Sequence, residues 1–400
     1  MVDDGAASGL LHDLLAGIEA ELPQAVRWRH LLHASPELGM AEVATARLVT
    51  DALPVSATPF AGTGRIATVG PADRPVVWVR AELDGLPMTE QTAAPYAATN
   101  GRMHACGHDV HMAGLLALTR AAHRLGARLP ARLGAVFQPS EERHPSGALA
   151  LLADAAVTAG VCAAVAAHLH PDLPWGSLGI EPGAVNAAAD AVHVVVTGKG
   201  GHAAYPHRGV DPVLALAQVV VALHGVVGRR VDPLHGATLT VGMLRAGTAE
   251  NIIPDTAEAR LTIRALDAED QRALREAVER VVTLTAQAHG CTAAIAYPKS
   301  EPPLVNEPAL AAAARAGAAG AGFDLAPPWR SCGGDDFAHY GARVPALMVF
   351  VGLRDAPGFR PAGLHDPAFL PPDDSVAAVA RALAVAYLAA APAAVTRPPA

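Results

Sequence analysis

Between residues 104 and 111 the chain reads His104-Ala105-Cys106-Gly107-His108-Asp109-Val110-His111, and four of these side chains, His104, Cys106, His108 and His111, can bind a metal. An apolar stretch of helical spacing follows. Cys106 and His108 stand two apart, so an extended loop backbone aims both side chains to one side. The N-terminus of the following helix, or a nearby cation, favours the thiolate, the form of cysteine that binds metals. Alone, the run fits a structural loop with a buried thiol about as well as a metal site. Other segments change the balance, because each sets carboxylates or imidazoles just past an apolar strand-like run: Glu82 and Asp84, Glu141-Glu142, His168, Asp335-Asp336 and His365. Together they read as a dinuclear metal site. Thiolate, imidazole and carboxylate donors suit zinc or a neighbouring first-row ion rather than the all-oxygen cage of calcium.

The elements that must position these residues alternate in the first block. Helical apolar spacing covers 8–22 and 40–53, and a short buried strand, Val76 to Val79, leads into Arg80-Ala81-Glu82-Leu83-Asp84-Gly85-Leu86-Pro87. A helix is expected after the metal-type run, with Asp109 as its N-cap. A strand ending at Phe137, a helix near 147–158 and a strand from Ala163 to Ala167 follow. This alternation predicts an α/β fold with a mostly parallel, doubly wound sheet, in which ligands bind at the carboxyl ends of the strands.

The block at 187–298 has another order: strand (191–196), helix (211–228), strand (237–245), strand (256–265), helix (268–289), strand (292–297). That is a ferredoxin-like βαββαβ unit. A buried strand at 347–351 and a helix at 374–390 resume the first style, so the expected organisation is a discontinuous metal-binding catalytic domain, 1–186 and 299–400, with 187–298 inserted as a substrate-lid and dimerisation domain. The tail from Val395 to Ala400 is expected to be loose.

Four hundred residues are enough for two cores. A formal charge of −8 without a basic stripe argues against nucleic acid. No apolar run approaches a membrane span, and Met1-Val2-Asp3-Asp4-Gly5 does not read as a secretory signal. Cys106, Cys162, Cys291 and Cys332 are scattered, which suits a reducing cytoplasm.

Seven segments, in order along nearly the whole chain, carry a resemblance: Arg29 to Leu38, Arg80 to Pro87, Cys106-Gly107-His108-Asp109, Phe137 to Glu142, Gly200 to His207, Asn251-Ile252-Ile253-Pro254 and Leu364-His365-Asp366-Pro367. In these the chain resembles the cocatalytic zinc-type aminoacylase and carboxypeptidase family. The match is to its amidohydrolase branch of hippurate, auxin-conjugate and N-acyl-amino-acid hydrolases. The resemblance implies two divalent ions (Zn, Mn, Co or Ni) on Cys106, His108, Glu142, His168 and His365, and Glu141 as the catalytic carboxylate acting on a metal-activated water. It also implies that His202 holds the developing oxyanion, that Asn251 and Arg264 grip polar groups of the substrate, and that Asp84 orients a metal-binding histidine. A small N-acyl amino acid or conjugate is the implied substrate and a homodimer the implied assembly. His104, His111, His144, His170 and His207 are expected to support rather than bind. The chain departs from the branch at Glu82, where Asp is general, at Asp335, where Glu is common, and at Cys332, where Met is frequent; these changes touch pocket shape and substrate choice.

Two alternatives stand beside N-acyl amide hydrolysis. A dipeptidase or aminocarboxypeptidase would use the same dinuclear chemistry, although Cys106 with His108 favours the N-acyl branch. A non-catalytic binding protein on this fold would have lost its general base, and Glu141 is present. No G-x-S-x-G elbow, P-loop spacing or P-C-x-x-C partner supports another enzyme class.

Overall fold

The computed structural model describes residues 4–391; the tail expected to be loose lies outside the described residues. Two compact units result. The larger comprises residues up to Gly183, Val305–Trp329 and the chain from His339 onward; the smaller comprises Ala184–Leu304 and Arg330–Ala338.

In the larger unit the chain opens with helix α1 (Asp4–Ala34) and helix α2 (Val43–Ala52). Where the apolar spacing predicted a helix over 8–22, α1 runs on through Pro23. Losing one backbone bond at an interior proline costs about 3 kcal/mol, and burial of Ala25, Arg29, Leu32 and His33 beyond it offsets that cost. Strands β1 (Thr58–Phe60), β2 (Gly64–Val69) and β3 (Val76–Glu82) lead to helix α3 (His108–Leu125), then β4 (Arg132–Gln138), helices α4 (Gly147–Leu152) and α5 (Ala155–Thr158), β5 (Val161–Pro174) and β6 (Ser177–Gly179). The single helix expected over 147–158 is broken because Asp154 caps a new start, accepting from the Ala156 and Val157 amides.

Short β7 (Gly183–Asn186) leads into the smaller unit, which holds β8 (Ala188–Thr197), β9 (Gly201–His202), α6 (Pro212–Leu223), α7 (Val227–Arg230), β10 (Ala237–Ala246), β11 (Ile252–Ile253), β12 (Thr256–Ala265), α8 (Ala268–Ala288) and β13 (Thr292–Glu301). After β14 (Leu304–Asn306) come α9 (Pro308–Ala318), β15 (Asp324–Leu325), β16 (Ala346–Arg354) and α10 (Asp374–Ala390).

The large sheet has the order β1-β2-β4-β3-β5-β16-β6-β15. Its centre is parallel, with β3 paired to both β4 and β5, and β5 to β16. Each residue of β3 is buried, as expected for a strand covered on both faces. Antiparallel β1, β2 and β6 flank this centre. The strand predicted to end at Ala167 continues, because β16 stays in register beyond it: Phe350 faces His168 and Gly352 faces His170. His168 therefore sits inside a strand and not in a loop.

The smaller unit is a four-stranded antiparallel sheet, β10-β12-β8-β13, packed by α6 and α8. Alternate residues of β8 and β12 (Val192, Val194, Val196; Ala257, Ala259, Leu261, Ile263) form its core. This is the split βαββαβ order read from the sequence. The helix expected over 211–228 stops at Leu223 and restarts as α7. Residues 330–338 group with this unit because Ser331 donates to the Val185 carbonyl and accepts from the Ala187 amide.

Helix α3 is the hub of the larger unit, buried along most of its length. Gly107 (φ +85°), not Asp109, occupies its N-cap position. Asp109 is the second helical residue, fully buried, and its carboxylate accepts from Arg29 Nε (3.1 Å) and His33 Nδ1 (3.0 Å). His33 Nε2 meets Glu90 (3.0 Å), and Arg29 also reaches Asp373 (2.7 Å). These contacts pin α3 to α1 and to the start of α10. Burial alone would lower the His33 pKa, but Asp109 and Glu90 overcome it and push it up to about 9. The folded value lies above the unfolded one near 6.5, so this stabilisation is complete below pH 6.5 and is lost as pH rises through about 9. His33→Gln should therefore destabilise the protein by about 2–3 kcal/mol at pH 6, with the gap closing by pH 9.5 in denaturant titrations; a gap independent of pH would contradict the charged bridge.

Candidate metal centre

Strand β3 delivers Asp84 to the carboxyl end of the sheet, where it is fully buried. Its carboxylate accepts both backbone amides of the glutamate pair, Glu141 N at 3.1 Å and Glu142 N at 3.0 Å. Its backbone carbonyl accepts His108 Nδ1 at 2.8 Å. A carbonyl only accepts, so His108 carries its proton on Nδ1 and turns the Nε2 lone pair inward. Among the described residues, that Nε2 is buried without a hydrogen-bond partner. The expectation that Asp84 orients a histidine thus takes a specific form: the carbonyl aims His108, while the carboxylate is spent on the glutamates.

Around this Nε2, ligand-type atoms of Cys106, His108 and Glu142 lie within 4.8 Å of one another. Cys106 Sγ is 3.5 Å from His168 Nε2, and the other His168 nitrogen, Nδ1, donates to the Leu169 carbonyl at 2.7 Å. His365 Nε2 is 3.1 Å from Glu142 Oε1, with the imidazole about half exposed. The His365 backbone amide donates to the Ala105 carbonyl (2.9 Å), fastening its loop to the Cys106 loop. Glu141 Oε2 lies 3.9 Å from His108 Nε2. The structure therefore brings together all five residues expected to bind metal, with Glu141 beside them.

The backbone is bent to achieve this. Ser140 (φ +51°) and His365 (φ +64°) both occupy the left-handed region, which is costly for residues other than glycine. Ser140 is held by its amide donating to buried Glu42 (2.9 Å), which also accepts from Thr63 Oγ1 (2.6 Å). Sequence reasoning passed over Glu42, since a glutamate within the helical spacing of 40–53 reads as an ordinary surface residue.

The electrostatics favour a cation. Burial pushes Asp84 up to about 7, and the neighbouring charge of Glu142 adds to that. His108 would be lowered by burial, yet the carboxylates of Glu82, Glu142 and Asp84 raise it above its ordinary value. Burial holds His168 well below its ordinary range, leaving a neutral imidazole able to donate a lone pair. Surplus buried carboxylate, a thiol and inward-facing imidazole lone pairs form a donor set that fits divalent first-row ions.

Other histidines stay outside this group. Burial lowers His104 to about 3, and His170 packs on Trp329 with ring centroids 4.2 Å apart. Neither His104, His144, His170 nor His207 joins a metal-capable group among the described residues. Asp335 and Asp336 are buried on the segment that returns to the smaller unit.

Within the smaller unit, β9 pairs with β11 so that His202 faces Ile252, and the Ala203 amide donates to the Asn251 carbonyl (3.0 Å). Residues 49 positions apart in sequence, His202 and Asn251, thereby become neighbours on an exposed ribbon. His202 Nδ1 accepts the Ala204 amide (3.0 Å), so in the neutral ring the proton, and with it the donor, is on Nε2. Arg264 is half-buried on β12, and a Cβ at Gly334 would come within 3.0 Å of its guanidinium, so glycine makes room there.

A buried cup of thiol, imidazoles and carboxylates at the carboxyl ends of a parallel sheet, with a second glutamate at its wall, defines a metal-dependent hydrolase. The chain belongs to peptidase family M20/M25/M40, whose sequence pattern matches residues 78–388. It is 35% identical over 351 residues to the N-acetylcysteine deacetylase of Bacillus subtilis, covering 86% of this chain and 90% of that one. It is 35% identical over 287 residues to the N-acyl-L-amino acid amidohydrolase of Geobacillus stearothermophilus, covering 70% and 77%. Among solved structures it superposes on the YXEP protein of Bacillus subtilis, a dinuclear metal binding peptidase from the M20 family. The TM-score is 0.79 at 30% identity, over 92% of this chain and 98% of that one. The protein is a metal-dependent amidohydrolase, and it uses divalent metal.

If Asp84 organises the cup, Asp84→Asn should weaken metal binding about 10–100-fold, the cost typical of losing an outer support. Calorimetric titration with zinc or manganese checks this, with circular dichroism showing the fold retained; unchanged affinity would contradict the role given to the carboxylate.

Proposed function

We propose that the protein releases an amino acid from an N-acyl amino acid or related conjugate by hydrolysing the amide bond. In this reading two divalent ions (Zn, Mn, Co or Ni) are held by Cys106, His108, Glu142, His168 and His365. The names of the deacetylase and amidohydrolase relatives support the substrate class. The observation that carries the mechanism is Glu141, fixed by Asp84 alongside Glu142 and 3.9 Å from His108 Nε2.

Bound ions would polarise the amide carbonyl and acidify water at the cup. Glu141 takes the proton of the attacking water as general base, then returns it to the departing amine nitrogen as general acid. Glu142, one residue on, is turned to His365 and acts with it as ligand. The shared Asp84 clamp keeps the two glutamate backbones fixed while one side chain binds and its neighbour shuttles a proton. Burial would raise the Glu142 pKa, but His365 and His108 lower it, which keeps it a carboxylate. His202 is assigned to hold the developing oxyanion through Nε2–H, and Asn251 and Arg264 to grip the substrate, Arg264 by bidentate pairing with a carboxylate.

The smaller unit is assigned the roles of substrate lid and homodimer contact. Four cysteines without a disulfide suit a reducing, cytoplasmic setting. Among the described residues no helix is long and apolar enough to cross a membrane.

Glu141→Gln should retain folding and metal content while kcat falls by about 10²–10⁴-fold, the usual worth of general acid–base catalysis. Retained turnover would remove Glu141 from its role. A panel of N-acetyl, N-benzoyl and longer N-acyl amino acids, assayed with dipeptides for free amine under each metal, tests the substrate class. Turnover of dipeptides alone would replace this reading with a dipeptidase.

A further inference from the structure

His111 and Glu82 take no part in the proposed chemistry, yet their ligand-type atoms lie within 4.8 Å of those of His108 and His168. They look like further metal ligands. Their hydrogen bonds say otherwise. His111 Nδ1 meets Glu82 Oε2 at 2.8 Å, while His111 Nε2 accepts the backbone amide of Leu169 at 3.1 Å. Both ring nitrogens are therefore committed, and the lone pair a metal would need already holds an N–H.

Leu169 is held from both directions. Its carbonyl accepts His168 Nδ1 at 2.7 Å, while its amide rests on His111. Its side chain lies against Gly107, where a Cβ would come within 3.0 Å of Leu169 Cδ1. His111 stands one helical turn after His108, so the same rigid α3 that presents one ligand also props the strand carrying another. The His111 and His168 rings meet edge to face, 4.7 Å between centroids. Glu82, anchored by buried Arg80, accepts the His111 Nδ1 proton and so selects the tautomer whose Nε2 can receive Leu169.

We propose that His111 is a positioning residue: through the Leu169 peptide it sets the orientation in which His168 offers Nε2 to a metal, and Glu82 fixes His111 in the tautomer this requires. The role deepens, and rests on, the assignment of His168 as a ligand.

In metal-free wild-type protein, ¹⁵N–¹H correlation of the imidazoles should find the His111 proton on Nδ1 and none on Nε2. A proton on Nε2 would overturn the proposal, because that nitrogen could not then accept from Leu169. His111→Phe, which fills the ring space without nitrogen, should weaken zinc binding about 10–100-fold in competition with a chromophoric chelator. His111→Gln, whose Oε1 can accept the Leu169 amide, should regain most of that loss. Wild-type affinity in His111→Phe, or equal losses in the two variants, would overturn it. Should His111→Phe not fold, the wild-type tautomer still decides. Wild-type protein that binds no zinc would sink the metal reading while leaving the tautomer measurable, so the two failures are distinguishable.

Discussion

One buried carboxylate, Asp84, ties the site together. It lies at the end of a central strand, and it reaches two other elements at once: the glutamate loop after β4 through its side chain, and the first residue of α3 through its carbonyl. Taking a carboxylate out of water is expensive unless its oxygens are satisfied. Here two peptide amides satisfy it, and those amides belong to the two residues that must not move. Burial still pushes its pKa up to about 7, so the clamp stands close to the limit of remaining charged. A cation in the cup would favour the charged form.

Asp109 shows how differently a second buried aspartate can be used. It lies just beyond His108, and the charges of His33 and Arg29 overcome the cost of its burial and hold its pKa far below the usual carboxylate range. Asp109 fixes where α3 sits, whereas Asp84 fixes what the start of α3 points at. Helix α3 packs beside α10 on the sheet with little slack: a Cβ at Gly114 would approach Val379 Cγ1 to 2.8 Å, so only glycine lets the two helices come this close. Close packing of this kind transmits position, and a ligand on the first turn of α3 inherits it.

Much of this was legible in the sequence, for physical reasons that differ by residue. The α/β order and the βαββαβ insertion follow from apolar runs and their periods. That Cys106, His108, Glu142, His168 and His365 would come together was legible because ligand-type residues recurred near the ends of apolar strand-like runs, and the resemblance singled out which of them to expect. What stayed hidden depended on long-range contact. Asp109 looked like an N-cap, because the spacing cannot reveal an Arg29 and a His33 arriving from another helix. His111 was expected to support the ligands, but the means stayed hidden, because its partners are a carboxylate 29 residues away and a backbone amide 58 residues away. The role of Glu42 was invisible, since only the bent backbone at Ser140 gives it a purpose. His168 was placed after a strand because apolar residues stop at Ala167, whereas pairing with β16 continues past them.

In the proposed reading one cup, organised by Asp84, binds two divalent ions on a defined set of side chains. Anomalous diffraction from crystals of the full chain loaded with manganese or zinc tests it most directly. Two peaks are expected in the cup, contacted by Cys106, His108, Glu142, His168 and His365, with Glu82 and His111 bound to neither. A single peak, peaks elsewhere, or an ion coordinated by His111 would contradict it.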